Sequence, residues 1–142
     1  MTVARTRRGE KVYQKHMAVE RPGCEFCQIR EGDPQFVKAI KSFKVIHNLF
    51  PYAFWDDQRV TDHLLVVPKE HVESLASFDP GQAAEYLALI SDYEANGYHV
   101  YARALKSISR SVAHQHTHLI KGEGKKLKVV LQVAKPHLLL LV

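Results

Sequence analysis

The chain contains the stretch His114-Gln115-His116-Thr117-His118-Leu119-Ile120, in which histidine occupies every second position at the start. Successive side chains of an extended strand point to opposite faces, so a strand would place the three imidazoles on one face, about 7 Å apart. Such a row could bind a metal ion, hold a polyphosphate or supply a nucleophile with its helpers. Chance could also produce it in a chain with 9 His, but the regular spacing favours a functional site on a strand.

Positive charge is concentrated at the two ends of the sequence, and the second cluster surrounds the histidines. Residues 1–21 have six Lys/Arg against two Asp/Glu, and residues 103–142 have eight Lys/Arg against Glu123 alone. Arg103, Lys106 and Arg110 directly precede the histidines. A positive potential there would attract a phosphorylated ligand. The alternative is an ordinary solvated surface.

Length and composition indicate one globular domain. The chain has 142 residues, of which 46% are hydrophobic and 25% charged, values typical of a domain with its own core. No apolar run approaches the roughly 20 residues that cross a bilayer, so we expect no membrane partner. The basic start lacks the apolar segment of a secretory signal, which leaves the cytoplasm as the expected location and an organelle transit peptide as the alternative.

We expect two regions, a flexible basic arm over residues 1–20 and a single domain over residues 21–142. The arm lacks apolar periodicity, as disordered segments do. A basic run could contact nucleic acid, but most such runs are simply solvated, so nucleic acid is not an expected partner.

The domain pattern predicts short strands with one main helix. Asp79-Pro80 is typical of a helix start and Asn96-Gly97 of a helix end. Between them, Tyr86, Leu89, Ile90 and Tyr93 form one apolar face. A short helix is expected over 24–30, another over 69–76, and a polar loop over 56–62. Strands are expected over 36–40, 43–47, 63–68, 98–105, 112–120, 127–133 and 137–142. The fold class is therefore α+β, an antiparallel sheet with one main helix and a short N-terminal helix.

Cys24 and Cys27 form a Cys-x-x-Cys pair. A structural disulfide across so small a loop is not expected in a chain without a secretory signal. The pair is therefore either a redox pair or one half of a zinc site.

A second histidine motif, His63-Leu-Leu-Val-Val-Pro-Lys69-Glu-His71, precedes the first. Alone it would be an apolar strand flanked by structural histidines. Together with the alternating histidines and Cys24-Glu-Phe-Cys27, it resembles the histidine triad (HIT) superfamily of nucleotide hydrolases and transferases. The resemblance covers about residues 22 to 122 and is to the zinc-containing Cys-x-x-Cys type, near dinucleoside polyphosphate hydrolase and phosphorylase-like members.

The resemblance implies separate roles for the histidines. His116 matches the nucleophile that attacks the α-phosphorus and forms a nucleotidyl-imidazole intermediate. His118 matches the histidine that contacts the phosphate and helps the leaving group to depart, and His63 lines the same cleft.

The resemblance also implies a zinc site. Its ligands would be Cys24, Cys27, His71 and His114. Two thiolates and two imidazoles form a closed tetrahedral set, which is the structural type of zinc site. Zinc would then fix the N-terminal segment against the strand that carries His116.

For the substrate, the resemblance implies a ribose contact at Asn48 and an α-phosphate contact at Ser111. Arg103 and Arg110 stand where relatives have neutral residues, and their guanidinium groups suit phosphate oxygens. Apolar residues would line a purine slot, or else belong to the plain core. These residues are Phe26, Ile29 and Ile46.

The function expected from the sequence is a nucleotide hydrolase or nucleotidyl transferase that cleaves at the α-phosphate of a purine nucleoside phosphate conjugate. A dinucleoside polyphosphate is the model substrate, and the family implies a homodimer. One alternative is a nucleotide-binding regulatory module without catalysis. Another is a hydrolase in which the three alternating histidines themselves bind a catalytic zinc ion.

Overall fold

Six strands form one antiparallel sheet in a computed structural model, which describes residues 5–134 and 136–142. In chain order they are β1 (Phe36–Ala39), β2 (Phe43–His47), β3 (Phe54–Trp55), β4 (Gln58–Pro68), β5 (Tyr98–Ala102) and β6 (Thr117–Lys126). The order across the sheet is β1-β2-β4-β6-β5, and β3 pairs with β4. A separate antiparallel hairpin consists of β7 (Val130–Val133) and β8 (Leu138–Leu141).

Among the described residues, three α-helices accompany the sheet: α1 (Arg7–Met17), α2 (Glu25–Gln28) and α3 (Pro80–Ala95). A 3-10 turn at Leu75–Ser77 replaces the short helix expected over 69–76. The predicted start of the main helix is confirmed, because the Asp79 side chain accepts from the Gln82 backbone N–H and the Gln82 side chain accepts from that of Asp79. The α+β class with an antiparallel sheet is also confirmed.

The two faces of the sheet are covered differently, as the alternation of strand side chains requires. Helix α3 covers one face, where Leu89 joins a core cluster built on Phe43, Leu64, Val66 and Leu119. The opposite face carries a second cluster of Ile46, Leu65 and Val67, against which Phe26 and Ile29 pack. His63 and His118 belong to this second face, since they alternate with Leu64 and Leu119.

Strand β6 begins at Thr117, so the strand expected over 112–120 is shorter than predicted at its start. Of the three alternating histidines, only His118 lies in the ladder. The last pair with β4 is Val66↔Thr117, and β4 ends at Pro68, which has no N–H to extend the ladder. His114 and His116 lie in the extended segment before the strand.

The polar loop predicted over 56–62 is wrong. The structure has a tight hairpin in which Trp55 pairs with Gln58. Asp56 and Asp57 form its turn with φ of 49° and 59°, the left-handed conformation that a two-residue hairpin turn requires and that Asp tolerates. Strand β4 then continues without a break to Pro68.

Over residues 5–20, helix α1 replaces part of the flexible arm that the sequence predicts for residues 1–20, of which residues 1–4 lie outside the described residues. Thr6 caps the helix, since its hydroxyl accepts from the Gly9 N–H at 3.1 Å. The rings of Tyr13 and His16 then pack on Phe50, with centroids 5.3 and 4.7 Å away. Helix α1 therefore packs on the loop that carries Phe50 through these two rings, although its sequence has little apolar periodicity. In the described part of the chain, no helix is long and apolar enough to cross a membrane.

The Tyr86–Thr117 contact tests how α3 is fixed to the sheet. The two hydroxyl oxygens are 2.8 Å apart, and Thr117 is 1% exposed. We expect Thr117→Val to lower the free energy of unfolding by about 1–3 kcal/mol, because the Tyr86 hydroxyl loses its partner. Adding Tyr86→Phe should recover part of this loss, which urea unfolding of both single variants and the double variant would measure. Additive losses would contradict the pairing.

Candidate functional site

Four predicted ligands converge where the segment after α1 meets the end of β4. The ligand atoms of Cys24, Cys27, His71 and His114 all lie within 4.8 Å of one another. The His114 Nδ1 is 3.3 Å from the Cys24 sulfur and 3.4 Å from the Cys27 sulfur, and the Cys27 sulfur is 3.4 Å from the His71 Nδ1. This group could hold a metal ion.

The tautomer of His114 fits that interpretation. Its Nε2 is 2.9 Å from the Pro68 carbonyl oxygen, which can only accept, so Nε2 carries the hydrogen and Nδ1 has a free lone pair facing the sulfurs. Metal-bound histidines commonly donate their other N–H in this way. Burial lowers the pKa of His114 to about 4, so the ring is neutral, as a ligand must be.

Lys44 fixes the two-cysteine turn to the sheet. Its ammonium group donates to the Phe26 carbonyl at 2.5 Å and to the Ile29 carbonyl at 2.8 Å. The side chain belongs to β2 and is only 6% exposed, and burial lowers its pKa. Burial and the neighbouring Cys24 raise the pKa of the Cys27 thiol. A bound dication would favour the thiolates, which are the form that binds metal.

His116 is held by His114, one of the four residues that could hold a metal ion. Its Nδ1 donates to the His114 carbonyl oxygen at 2.8 Å, so Nε2 carries the lone pair. The ring is 8% exposed and lines a cleft, and burial lowers its pKa, which keeps it neutral. A neutral imidazole with one nitrogen free is a competent nucleophile.

A second pair of histidines lies beside His116, and the tautomer of each can be derived. The Tyr52 backbone N–H donates to the His63 Nδ1 at 3.1 Å, so the hydrogen of His63 lies on Nε2. The His63 Nε2 then donates to the His118 Nδ1 at 2.9 Å. The hydrogen of His118 is thereby on Nε2, a buried atom without a partner among the described residues. The Asn48 amide nitrogen, 3.1 Å from the His63 Nε2, also bears hydrogens and is not its acceptor.

A cleft of about 320 Å³ opens in front of these rings. Seven of the residues predicted for catalysis or substrate binding line it. These are Phe26, Ile29, Asn48, Arg103, Ser111, His116 and His118. His63 lies behind His118 and is 3% exposed, so it reaches the cleft only through the hydrogen bond to that ring. Asn48 is oriented by its own loop, since its side-chain oxygen accepts from the Phe50 N–H at 2.9 Å.

Two predicted substrate contacts are placed elsewhere. Ile46 is 0% exposed and packs beneath Phe26 and Ile29, so it supports the apolar wall without lining the cleft. The Arg110 guanidinium donates to the carbonyl oxygens of Glu73, Val112 and Ala113, at 2.6, 3.2 and 2.5 Å. These acceptors compete with phosphate, and the side chain braces the segment before His114.

The structure does not gather the three alternating histidines into one metal site. His114 turns its free nitrogen to the cysteines, His116 donates Nδ1–H to a carbonyl, and His118 accepts from His63. Across residues 5–134 and 136–142, the group of side chains that could hold a metal ion is the one containing Cys24 and Cys27. The alternative of a catalytic zinc on the three histidines therefore has no geometric support.

Sequence reasoning missed Arg5 and the ring of Tyr52. Arg5 lines the cleft and is 8% exposed, although it lies in the segment predicted as a flexible arm. The Tyr52 ring stacks on that of His118, with centroids 5.6 Å apart and planes at 26°. The Pro-Tyr pair at 51–52 was a signal for Tyr52, but nothing in the local pattern distinguished Arg5 from Arg7 and Arg8.

Comparisons with known proteins show which family the sequence matches. The sequence matches the HIT domain family over residues 37–125. The protein named Protein hit of Bacillus subtilis (strain 168) is 32% identical over 111 residues, which cover 72% of each chain. Adenosine 5'-monophosphoramidase HNT1 of Saccharomyces cerevisiae is 31% identical over 110 residues, which cover 72% of this chain and 65% of that protein.

Experimentally solved structures share this fold. The crystal structure of a HIT family hydrolase from Legionella pneumophila Philadelphia 1 superimposes with a TM-score of 0.53 and 21% sequence identity. The match covers 72% of this chain and 95% of that one. At this sequence identity, the likeness shows that the two chains share the arrangement of strands and helices, and nothing more.

The buried His63 predicts how stability depends on pH. Burial, with the positive Arg5 and the neighbouring His116 as lesser causes, lowers its pKa from 6.5 to about 3. The unfolded chain takes up this proton near pH 6.5 and the folded chain does not, so stability falls as pH is lowered from 6.5 towards 3. His63→Gln should reduce this slope by up to about 1.4 kcal/mol per pH unit.

Urea unfolding at several pH values between 7 and 4 would measure the slope. His47→Gln, at an exposed position on β2, is the matched control and should leave it unchanged. An identical slope in the wild-type protein and His63→Gln would contradict the buried neutral state of His63.

Proposed function

Because the chain belongs to the HIT domain family, we propose that it is a nucleotide hydrolase or nucleotidyl transferase acting at the α-phosphate of a purine nucleoside phosphate conjugate. One observation carries the proposal. The His116 Nδ1–H is bound to the His114 carbonyl at 2.8 Å, which leaves the Nε2 lone pair for attack from a ring that lines the cleft.

In the proposed reaction, the His116 Nε2 attacks the α-phosphorus. The N–P bond forms as the bond from phosphorus to the leaving group breaks, and the leaving group takes that electron pair. A water molecule then attacks the nucleotidyl-imidazole and gives up one proton to the solvent. The N–P bond breaks, and the lone pair returns to Nε2 as the nucleoside monophosphate is released. Another acceptor in place of water would make the same chemistry a transfer.

His118 supports the reaction by donating a hydrogen bond. Its Nε2–H has no partner among the described residues, and the phosphoryl oxygens gain charge as attack proceeds. A donor fixed in a site of low dielectric stabilises such charge at little reorganisation cost. Burial and the neighbouring His63 keep the pKa of His118 well below 6.5, so we assign it hydrogen bonding rather than proton supply.

The remaining cleft residues suit a nucleotide. Phe26 and Ile29 offer an apolar wall to the base, and Asn48 offers an amide to the ribose. Ser111 lines the same cleft as His116 and would supply a hydroxyl to the α-phosphate. The phosphoramidase name of the yeast relative supports an adenosine conjugate.

We further propose that the cluster of two cysteines and two histidines holds zinc in a structural role. Cys24, Cys27, His71 and His114 would hold the ion, and no position remains open for substrate. When bound, zinc would tie the two-cysteine turn to His114 and thereby fix the carbonyl that orients His116.

Replacing the nucleophile tests the proposal. We expect His116→Ala to lower kcat by at least about 10³-fold on adenosine 5'-phosphoramidate and diadenosine tetraphosphate, since no other group with a free lone pair is assigned to attack. His99→Ala, on β5 at the edge of the sheet, should retain wild-type rates. Acid-labile labelling of the wild-type protein by the nucleotide would report the covalent intermediate.

Turnover by His116→Ala at the wild-type rate would contradict the assignment of His116 as the nucleophile. Nucleotide binding by the wild-type protein without turnover of either substrate would favour the regulatory module. The two results are distinguishable, because the first requires turnover and the second excludes it.

Removing one sulfur ligand tests the metal proposal. Elemental analysis of the purified protein should find about one zinc ion per chain, and Cys24→Ser should reduce it by at least about tenfold, as loss of a ligand does in a closed site. His116→Ala should keep its zinc, since its ring is outside the cluster. Full occupancy in Cys24→Ser would contradict the assignment.

A further inference from the structure

A buried arginine from outside the region that matches the family lies in the wall of the cleft. Arg5 precedes helix α1, whereas the family match begins at residue 37. Its side chain is 10% exposed, although the neighbouring Arg7 and Arg8 are exposed. Burying a guanidinium costs free energy unless it is paired, so its position calls for a partner.

Arg5 is held in place from several directions. Its Nε donates to the Phe50 carbonyl at 3.2 Å, and its guanidinium carbon lies 3.9 Å from the centroid of the Tyr13 ring. Its backbone carbonyl accepts from the His137 Nε2–H at 2.9 Å. The residue is therefore fixed by α1, by the loop before β3 and by the turn between β7 and β8.

These contacts use only part of the hydrogen-bonding capacity of the guanidinium. Within the described chain, Arg5 has one carboxylate partner, Glu10, through a single contact of 3.4 Å. Its hydrogen bonds to Phe50 and Glu10 use two of the five N–H donors that a guanidinium carries. The remaining donors belong to a rigid group that lines the cleft.

Arg5 and Arg103 approach the same ring from two elements. The Arg103 guanidinium donates to the Tyr52 hydroxyl at 3.2 Å, and the guanidinium carbon of Arg5 lies 5.8 Å from the Tyr52 ring centroid. Tyr52 stacks on His118, whose Nε2–H has no partner in the described part of the chain. Two cations therefore lie at the His118 end of the cleft.

The direction of proton supply agrees with an anionic leaving group. The hydrogen-bond chain through His118 and His63 ends at the Tyr52 backbone N–H, and a backbone amide does not release its proton. The chain therefore supplies no further proton to His118 while the leaving group departs, and in the proposed reaction only the water of the second step can return one. A departing polyphosphate keeps its electron pair as an oxyanion and needs no proton, whereas a departing amine does.

We propose that Arg5, with Arg103, binds the negatively charged leaving group and makes nucleoside polyphosphates the preferred substrate class over nucleoside phosphoramidates. This inference rests on the proposed function for the identity of the leaving-group side. It adds a specificity-determining residue from the N-terminal segment, which thereby belongs to the binding site.

Binding of two nucleotides tests the role of Arg5 without requiring turnover. Calorimetry would compare AMP with adenosine 5'-tetraphosphate in the full-length protein carrying His116→Ala, so that neither probe is cleaved. Adding Arg5→Gln should weaken tetraphosphate binding by at least about tenfold, the usual scale of a lost charge-assisted hydrogen bond. AMP binding should change by less than about twofold, since AMP lacks the group that Arg5 would contact.

Arg8→Gln is the matched control, because it removes the same charge from an exposed position on α1. It should leave both affinities within about twofold. Arg5→Lys keeps the cation and should fall between wild type and Arg5→Gln, which separates loss of charge from collapse of the wall.

Three results would overturn the proposal: unchanged tetraphosphate binding in Arg5→Gln, equal weakening of both nucleotides, or no tetraphosphate binding in the parent. Failure of the proposed function has a different signature, since it is read from turnover that does not depend on His116. The two hypotheses can therefore fail separately.

Discussion

The rest of the site depends on the hydrogen bond from the His114 Nε2 to the Pro68 carbonyl. This bond fixes the tautomer of His114, so that its Nδ1 faces the two cysteine sulfurs. The same residue presents its backbone carbonyl to His116 and thereby fixes the second tautomer. A shift of His114 would therefore move its Nδ1 away from the cysteine sulfurs and would also release the Nδ1–H of His116, so that the free nitrogen in the cleft changes. The cysteine pair and the cleft are thus structurally coupled through His114, although they lie in separate parts of the sequence.

Burial explains why the imidazoles can hold these states. Water would allow each ring to exchange tautomers and to take up a proton, but desolvation disfavours the charged form of His63, His116 and His118. The rings then interact as fixed donors and acceptors in a medium where such bonds are strong. The cost is a set of buried imidazole nitrogens that need hydrogen-bond partners. The pairing of β4 with β6 brings His63 within reach of His118, and the Tyr52 backbone N–H donates to His63. The proposed site thus occupies a part of the sheet that would otherwise hold apolar side chains.

The sequence predicts those helices and strands of this chain whose apolar residues follow one local pattern. The capped apolar face of α3 and the apolar runs of β2 and β4 are local signals. The four residues that could hold a metal ion are those that the resemblance to the HIT pattern implies. Sequence reasoning fails where a distant partner decides. Arg110 resembles a phosphate contact, yet three nearby carbonyls occupy it. Arg5 resembles its exposed neighbours, and only the folded positions of Phe50 and His137 distinguish it. The hairpin turn at Asp56-Asp57 is missed because two aspartates are equally typical of a loop.

The contact between Arg5 and His137 has a consequence for the order of folding. The two residues are separated by 132 positions, so this wall of the cleft closes a very long loop and gains its contact only after the intervening sheet has formed. During synthesis, Arg5 leaves the ribosome before the β7–β8 hairpin, so its backbone contact with His137 forms only after that hairpin has emerged. We therefore expect amide hydrogens of α1 to exchange faster than those of β4 and β6, since segments joined by few late contacts open at lower free energy than the core.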